Sequence, residues 1–278
     1  VRTDTLPPLR DVIARHELAA RKALGQHFLC DLNLTRAIVA KAGDLSGSLV
    51  CEVGPGPGGL TRALVDSDAA QIVAIEKDHR CLSALADIAA VSDNRLHVIE
   101  GDALRTDLLA LPAAAMDRPR YVIANLPYNI GTELLIGWLK QMPAWNGLTL
   151  MFQAEVVDRI TAQPNSKAFG RLSVLSQFCC NAERVMDIPA RAFTPPPKID
   201  SAVVHLTPRH DRPADVRLDV LERITATAFG QRRKMLRVSL KPLGGEALLM
   251  KAGIEPTLRA ENLTVAQFET LTRLVQQA

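Results

Sequence analysis

Short apolar runs at 49–53, 71–75, 96–99, 121–124 and 148–152 recur along the first half of the chain, with longer stretches of helical spacing between them. Runs of four or five apolar residues are too short for buried helices and suit strands covered on both faces. Alternation with helices is the pattern of parallel strands joined by crossovers. The expected fold is therefore α/β, a doubly wound, mostly parallel, Rossmann-like sheet. Two further strand-like runs, 184–188 and 202–206, follow one another without a convincing helix and predict an antiparallel addition to one sheet edge.

Around 207–213 the composition turns to Pro, Arg, His and Asp, and from 216 onward helical spacing is broken by Pro242-Leu243-Gly244-Gly245 and by Gly253. The chain thus divides into a domain over 1–208, with a helical extension at its start, and a small helical domain over 209–278. At 278 residues and 47% hydrophobic it has the material for both cores. No apolar run reaches the ~18 to 20 residues of a membrane span, and the charged stretch 9–22 mixes acids with bases, unlike a targeting peptide. A soluble, cytoplasmic protein is expected. Cys30, Cys51, Cys81, Cys179 and Cys180 are an odd set without CxxC spacing or nearby histidines, which argues against both a disulfide framework and a metal site. From Arg209 to the end, twelve Lys and Arg stand against eight Asp and Glu, while the rest of the chain is nearly balanced. The tail carries the positive field, and a polyanionic partner becomes more plausible.

The run 121–124 ends in Asn125-Leu126-Pro127-Tyr128. Parallel sheets present their ligand crevice at the carboxyl ends of the strands. An Asn amide oxygen and a turn carbonyl, that of Leu126 or Pro127, suit an exocyclic amino group on a planar base. Two acceptors favour the pyramidal, nucleophilic form of that nitrogen, and Tyr128 offers a stacking face. In isolation, the plainer reading of the tetrapeptide is an ordinary Asn-x-Pro turn.

Earlier lies Glu52-Val53-Gly54-Pro55-Gly56-Pro57-Gly58-Gly59-Leu60-Thr61, and Glu76 ends the second run 22 residues after Gly54. Gly54, Gly56 and Gly59 match a dinucleotide fingerprint, with Glu76 placed for ribose hydroxyls. Pro55 and Pro57, however, remove N–H groups from the loop that should cradle a pyrophosphate, and Glu52 adds negative charge there. The same acid suits a cofactor with an ammonium and a sulfonium. Asp102, after the third run, adds an acceptor for an adenine amino group. Glu76 and Asp102 are each commonly helix caps, but at consecutive strand ends they fit S-adenosylmethionine.

Taken together, the chain resembles the KsgA-type small-subunit rRNA adenine N6,N6-dimethyltransferases, within the rRNA adenine dimethylase family. The resemblance spans about 24–240. It is carried by Leu24-Gly25-Gln26-His27-Phe28-Leu29, the GPGPGGLT loop, NLPY, Gln153-Ala154-Glu155-Val156-Val157-Asp158-Arg159, SKAFGRLS at 166–173, FTPPPKIDSAV at 193–203 and Phe229-Gly230-Gln231-Arg232-Arg233-Lys234. It implies S-adenosylmethionine-dependent dimethylation of two adjacent adenines in a hairpin loop near the 3′ end of small-subunit rRNA during ribosome maturation. Cofactor contacts are implied for His27, Leu29, Gly54, Glu76, Asp102 and Asn125, with Glu52 and Gly56 added from the loop chemistry. The implied base clamp is Asn125, Leu126, Tyr128 and Phe193, with Pro127 stiffening the turn. His27 stands where many members have Asn, and Pro57 stiffens the glycine loop.

An adenine held in a duplex hides N6, so the target must come from a loop or be turned out. No Asp or His adjoins NLPY in sequence, so proton loss to water after transfer is expected. Phosphate contacts are expected from Arg21, Lys22, Lys167, Arg171, Arg191 and Lys198 near the pocket and from Arg232, Arg233 and Lys234 in the tail. A monomer without metal or membrane attachment is expected. Two alternatives stay open: a large-subunit rRNA adenine methylase of the antibiotic-resistance type, and a non-catalytic ribosome-assembly or nucleic-acid-binding factor on the same fold.

Overall fold

The computed structural model describes residues 2–18, 26–111 and 117–277. Arg21 and Lys22 lie outside the described residues. The chain forms two compact units, one of residues 1–154 and 183–207, the other of residues 155–182 and 208–278.

The strands of the first unit form where the apolar runs predict them. β2 (Leu49–Val53), β3 (Gln71–Glu76), β4 (Leu96–Glu100), β5 (Arg120–Asn125) and β6 (Gly147–Gln153) are parallel neighbours, and β9 (Ser201–Pro208) lies antiparallel to β6. With β7 (Cys180–Ile188) outermost, the sheet order is β4-β3-β2-β5-β6-β9-β7. The α/β expectation and the antiparallel edge both hold. All five residues of β2 are buried, as a strand covered on both faces requires. The crossovers include α3 (Gly59–Asp66), α4 (Leu82–Ala90) and α5 (Gly131–Lys140). Before the sheet come α1 (Leu9–Arg15) and α2 (Leu32–Ala40), the latter capped by Asp31, whose carboxylate accepts from the Asn33 and Leu34 amides. β2 pairs with β3 on one side and β5 on the other, so the strand order reverses between β2 and β5. That is where doubly wound sheets open their crevice.

A second, two-stranded ribbon escaped the sequence reading. β1 (Phe28–Leu29) pairs antiparallel with β8 (Phe193–Thr194).

In the second unit, α6 (Ala154–Thr161) and α7 (Arg171–Cys179) group with the tail helices α8 (Leu218–Gly230), α9 (Leu236–Ser239), α10 (Gly245–Lys251) and α11 (Val265–Gln276). The division at 208/209 therefore needs correction: residues 155–182 pack with the tail. The reason is aromatic, since Phe169 meets Phe229 edge-on at 6.2 Å and Phe229 stacks on Phe268 at 5.7 Å. α11 starts with a reciprocal cap between Thr264 and Gln267.

Candidate active site

One cavity at the carboxyl ends of β2 to β5 is lined by Gln26, His27, Leu29, Glu52, Gly54, Gly56, Glu76, Asp102 and the whole of Asn125-Leu126-Pro127-Tyr128. All the expected cofactor residues thus share one cavity. The glycine loop passes from β2 into α3 through Gly58 (φ +95°), where a Cβ would fall 2.1 Å from Ile88 Cδ1, and Gly59, where it would fall 2.2 Å from the Leu29 carbonyl oxygen. Any side chain at 59 would push residues 26–29 off the loop.

Three acids face this space with different chemistry. Glu76 accepts from the Gly56 amide at 2.8 Å and from the Asp78 amide at 2.7 Å, while burial raises its pKa. With the Lys77 amide also close by, the carboxyl still has acceptor capacity left for a ligand hydroxyl. Glu52 is 1% exposed; burial pushes its carboxyl up to about 8, with the Thr61 hydroxyl opposing the rise and nearby Glu76 adding to it. Its Oε2 has no hydrogen-bond partner among the described residues. An orphaned buried carboxyl oxygen beside the glycine loop is what a cationic group would satisfy. Asp102 accepts from Lys77 Nζ at 2.8 Å and from the Leu104 amide at 3.0 Å, which lowers its pKa. It is therefore both a turn cap and a cavity-lining acceptor. These donors and acceptors fit S-adenosylmethionine: an unsatisfied acid for the ammonium, Glu76 for ribose, Asp102 for the adenine amine.

Asn125 ends β5, and its Nδ2 donates to the His27 carbonyl at 3.3 Å. With Nδ2 engaged there, Oδ1 is the amide atom left to accept from a ligand. The Leu126 and Pro127 carbonyls differ in what they already hold. Pro127 O accepts from the Ile130 and Gly131 amides at the start of α5, whereas the Leu126 carbonyl accepts nothing among the described residues. Tyr128 is anchored by a 2.8 Å hydrogen bond between its hydroxyl and Ser201 Oγ.

Phe193 lies against the cavity rather than in its lining. It is 3% exposed, belongs to the core and is absent from the cavity lining. His27 meets both rings, stacked on Tyr128 at 5.6 Å and edge-on to Phe193 at 6.4 Å, with its Nδ1 at 2.8 Å from the Pro195 carbonyl. The imidazole was read as a cofactor contact; nothing in the sequence flagged it as part of the aromatic cluster.

The expected phosphate contacts are spread over both units. Arg191 and Lys198 are exposed in the first; Lys167, Arg171, Arg233 and Lys234 are exposed in the second. Arg171 pairs with Glu222 at 3.6 Å. Arg232 differs from its neighbours, donating to the Lys167 carbonyl at 2.7 Å and pairing with Glu261 at 3.5 Å.

Sheet order and cavity together define a doubly wound α/β protein with a ligand crevice at the carboxyl ends of its strands; the comparisons with known proteins make it a methyltransferase. A family model described as ribosomal RNA adenine dimethylase matches residues 17–277. The chain is 58% identical to the ribosomal RNA small subunit methyltransferase A of Mesorhizobium japonicum, over 98% of this chain and 99% of that one. It is 55% identical to the protein of the same name from Rhodospirillum rubrum, over 99% and 94%. Among solved structures, a dimethyladenosine transferase from Plasmodium falciparum superposes with a TM-score of 0.76 at 23% identity, covering 90% of this chain and 98% of that one. The 23S rRNA methyltransferase ErmE gives 0.68 at 25% identity, covering 90% and 100%. The chain belongs to the ribosomal RNA adenine dimethylase family.

Proposed function

We propose that this enzyme uses S-adenosylmethionine to dimethylate N6 of two adjacent adenines in a hairpin loop near the 3′ end of small-subunit rRNA during ribosome maturation. The observation that supports the reading is that Asn125, its NH2 engaged by the His27 carbonyl, shares a cavity with Glu52, Glu76 and Asp102. The cofactor would supply an electrophilic methyl group. Asn125 Oδ1 and the Leu126 carbonyl would accept both hydrogens of the adenine amine and stabilise charge arriving on that nitrogen, an effect of ~2.7 to 4 kcal/mol per aimed group. Tyr128 would stack on the base, and Leu126, being apolar and smaller than an aromatic, leaves room for the first N-methyl. Arg191 and Lys198 would contact rRNA phosphates near the cavity, and Arg233 and Lys234 of the second unit would dock on the subunit. The proton on the methylated amine leaves to water.

Small-subunit specificity is supported by 55–58% identity over nearly whole chains to relatives bearing that name, against 25% for ErmE. The decisive experiment incubates the protein with methyl-labelled S-adenosylmethionine and separated ribosomal subunits from a strain lacking the modification. N6,N6-dimethyladenosine in small-subunit rRNA is expected. Label only in large-subunit rRNA would transfer the reading to the antibiotic-resistance type, and no label in either would leave a binding factor.

A further inference from the structure

Residues 26–29 all line the cavity and form a strap along it. Gln26 Nε2 donates to Asp78 Oδ2 at 3.0 Å, the His27 carbonyl accepts from Asn125, and Phe28 and Leu29 pair with Thr194 and Phe193. Asp78 is 3% exposed, and its carboxyl is held well below the usual range, first by hydrogen bonds from Arg80 and further by Gln26. Its amide in turn donates to Glu76, whose other oxygen accepts from Gly56. A continuous line of hydrogen bonds and peptide links therefore runs from the glycine loop through Glu76, Asp78, Gln26 and His27 to Asn125.

We infer that Gln26 is a positioning residue for methyl transfer: anchored on Asp78, it fixes the His27 carbonyl that keeps the Asn125 amide oxygen turned toward the substrate amine. This rests on the functional reading above. At 3.3 Å, the bond from Asn125 to His27 lies beyond the usual range of N–H···O contacts. A few tenths of an ångström of movement in the strap would release the amide. Once free to rotate, Asn125 presents its NH2 where the adenine amine needs an acceptor. Because that acceptor acts as charge develops on nitrogen, its loss falls on the rate of the chemical step rather than on cofactor binding.

The test is single-turnover methyl transfer to unmethylated small subunits at saturating S-adenosylmethionine, together with cofactor affinity by calorimetry and Tm, for wild type, Gln26→Ala, Gln26→Glu and Gln26→Glu combined with Asp78→Asn. Gln26→Ala is expected to slow transfer about 10- to 100-fold, the scale of a small misplacement of a catalytic group. Cofactor affinity should fall far less than the rate, and Tm should stay near wild type. Gln26→Glu sets two carboxylates against each other and should slow transfer at least as much. Adding Asp78→Asn, whose amide can donate to the new carboxylate, should recover part of that loss. A wild-type rate in Gln26→Ala, a loss that excess cofactor abolishes, or no recovery in the double variant overturns the inference while leaving the functional reading standing. Absence of transfer by wild type removes both.

Discussion

The cavity and the basic run 232–234 both gather polar side chains, yet they use them in opposite ways. In the cavity, protein–protein hydrogen bonds use one side of each group and leave the other aimed: Asn125 gives its NH2 to His27 and keeps Oδ1, and Glu76 takes two amides and keeps lone pairs. In the basic run, Arg233 and Lys234 are exposed, while Arg232 holds the Lys167 carbonyl and Glu261 of its own unit. Preorganisation is what a reaction needs, because groups already fixed need no reorganisation as charge develops. A mobile phosphate partner needs only charge within reach.

If that contrast is right, the largest loss comes from the aimed acceptor. Asn125→Ala should lower methyl transfer by ~10² to 10³-fold, or about 2.7 to 4 kcal/mol, with Tm nearly unchanged. Near-normal turnover by folded protein would reduce Asn125 to a turn residue.

The contrast also governs what could be read in the sequence. The strands appear as apolar runs because burial on both faces writes itself into composition, and Glu76, Asp102 and Asn125 are legible because each ends or follows such a run. What could not be read depends on contacts between distant segments. β1 and β8 are two residues each and lie far apart in the chain, so neither leaves a periodic signature. The same holds for the bond from Asn125 to His27, the occupation of the Pro127 carbonyl by the start of α5, and the packing of Phe169 on Phe229, which draws residues 155–182 toward the tail. Phe193 shows the limit most plainly. Its ring is 3% exposed and meets His27 edge-on, a contact between distant segments that no local pattern announces.

Tyr128 and Phe193 should therefore respond differently. Tyr128→Ala is expected to weaken productive rRNA engagement by ~1 to 3 kcal/mol, the scale of one base stacked on an aromatic ring, and to lower stability by about 1 kcal/mol because it strands the buried Ser201 hydroxyl. Phe193→Ala should instead lower unfolding stability by ~3 kcal/mol, the cost of emptying a core site. Denaturant unfolding beside rRNA binding separates them. A Phe193→Ala protein as stable as wild type, but weak on rRNA, would return that ring to the base clamp.

A smaller effect tests the acid that awaits a cation. With its carboxyl at about 8, Glu52 is mostly protonated at pH 7 in the free protein, and a bound ammonium favours the ionised form. S-adenosylmethionine binding should then release up to about one proton at pH 7. Affinity should rise with pH, by at most roughly tenfold per unit, and level off above about 8. Calorimetry in buffers of different ionisation enthalpy reads the proton directly. Glu76, also raised by burial, shifts in the same direction, so Glu52→Gln isolates the contribution. An unchanged proton count in that variant would remove Glu52 from the cationic end of the cofactor.

The smallest expected effects lie in the basic run, where they are also the most discriminating. Arg233 and Lys234 are exposed and should each add up to about 0.7 to 0.9 to the log–log salt slope of subunit binding if they meet phosphates. Arg233→Ala with Lys234→Ala should flatten the slope by up to roughly twice that, with Tm and cofactor affinity unchanged. Arg232→Ala should leave the slope close to wild type and lower Tm instead, because removing the guanidinium leaves the shielded Glu261 carboxylate of the second unit without its cation. Binding measured across a salt series, alongside thermal unfolding, gives both readouts on the same proteins. Equal flattening by Arg232→Ala would make the three cations one docking cluster, and no flattening by the double variant would leave them a solvated face.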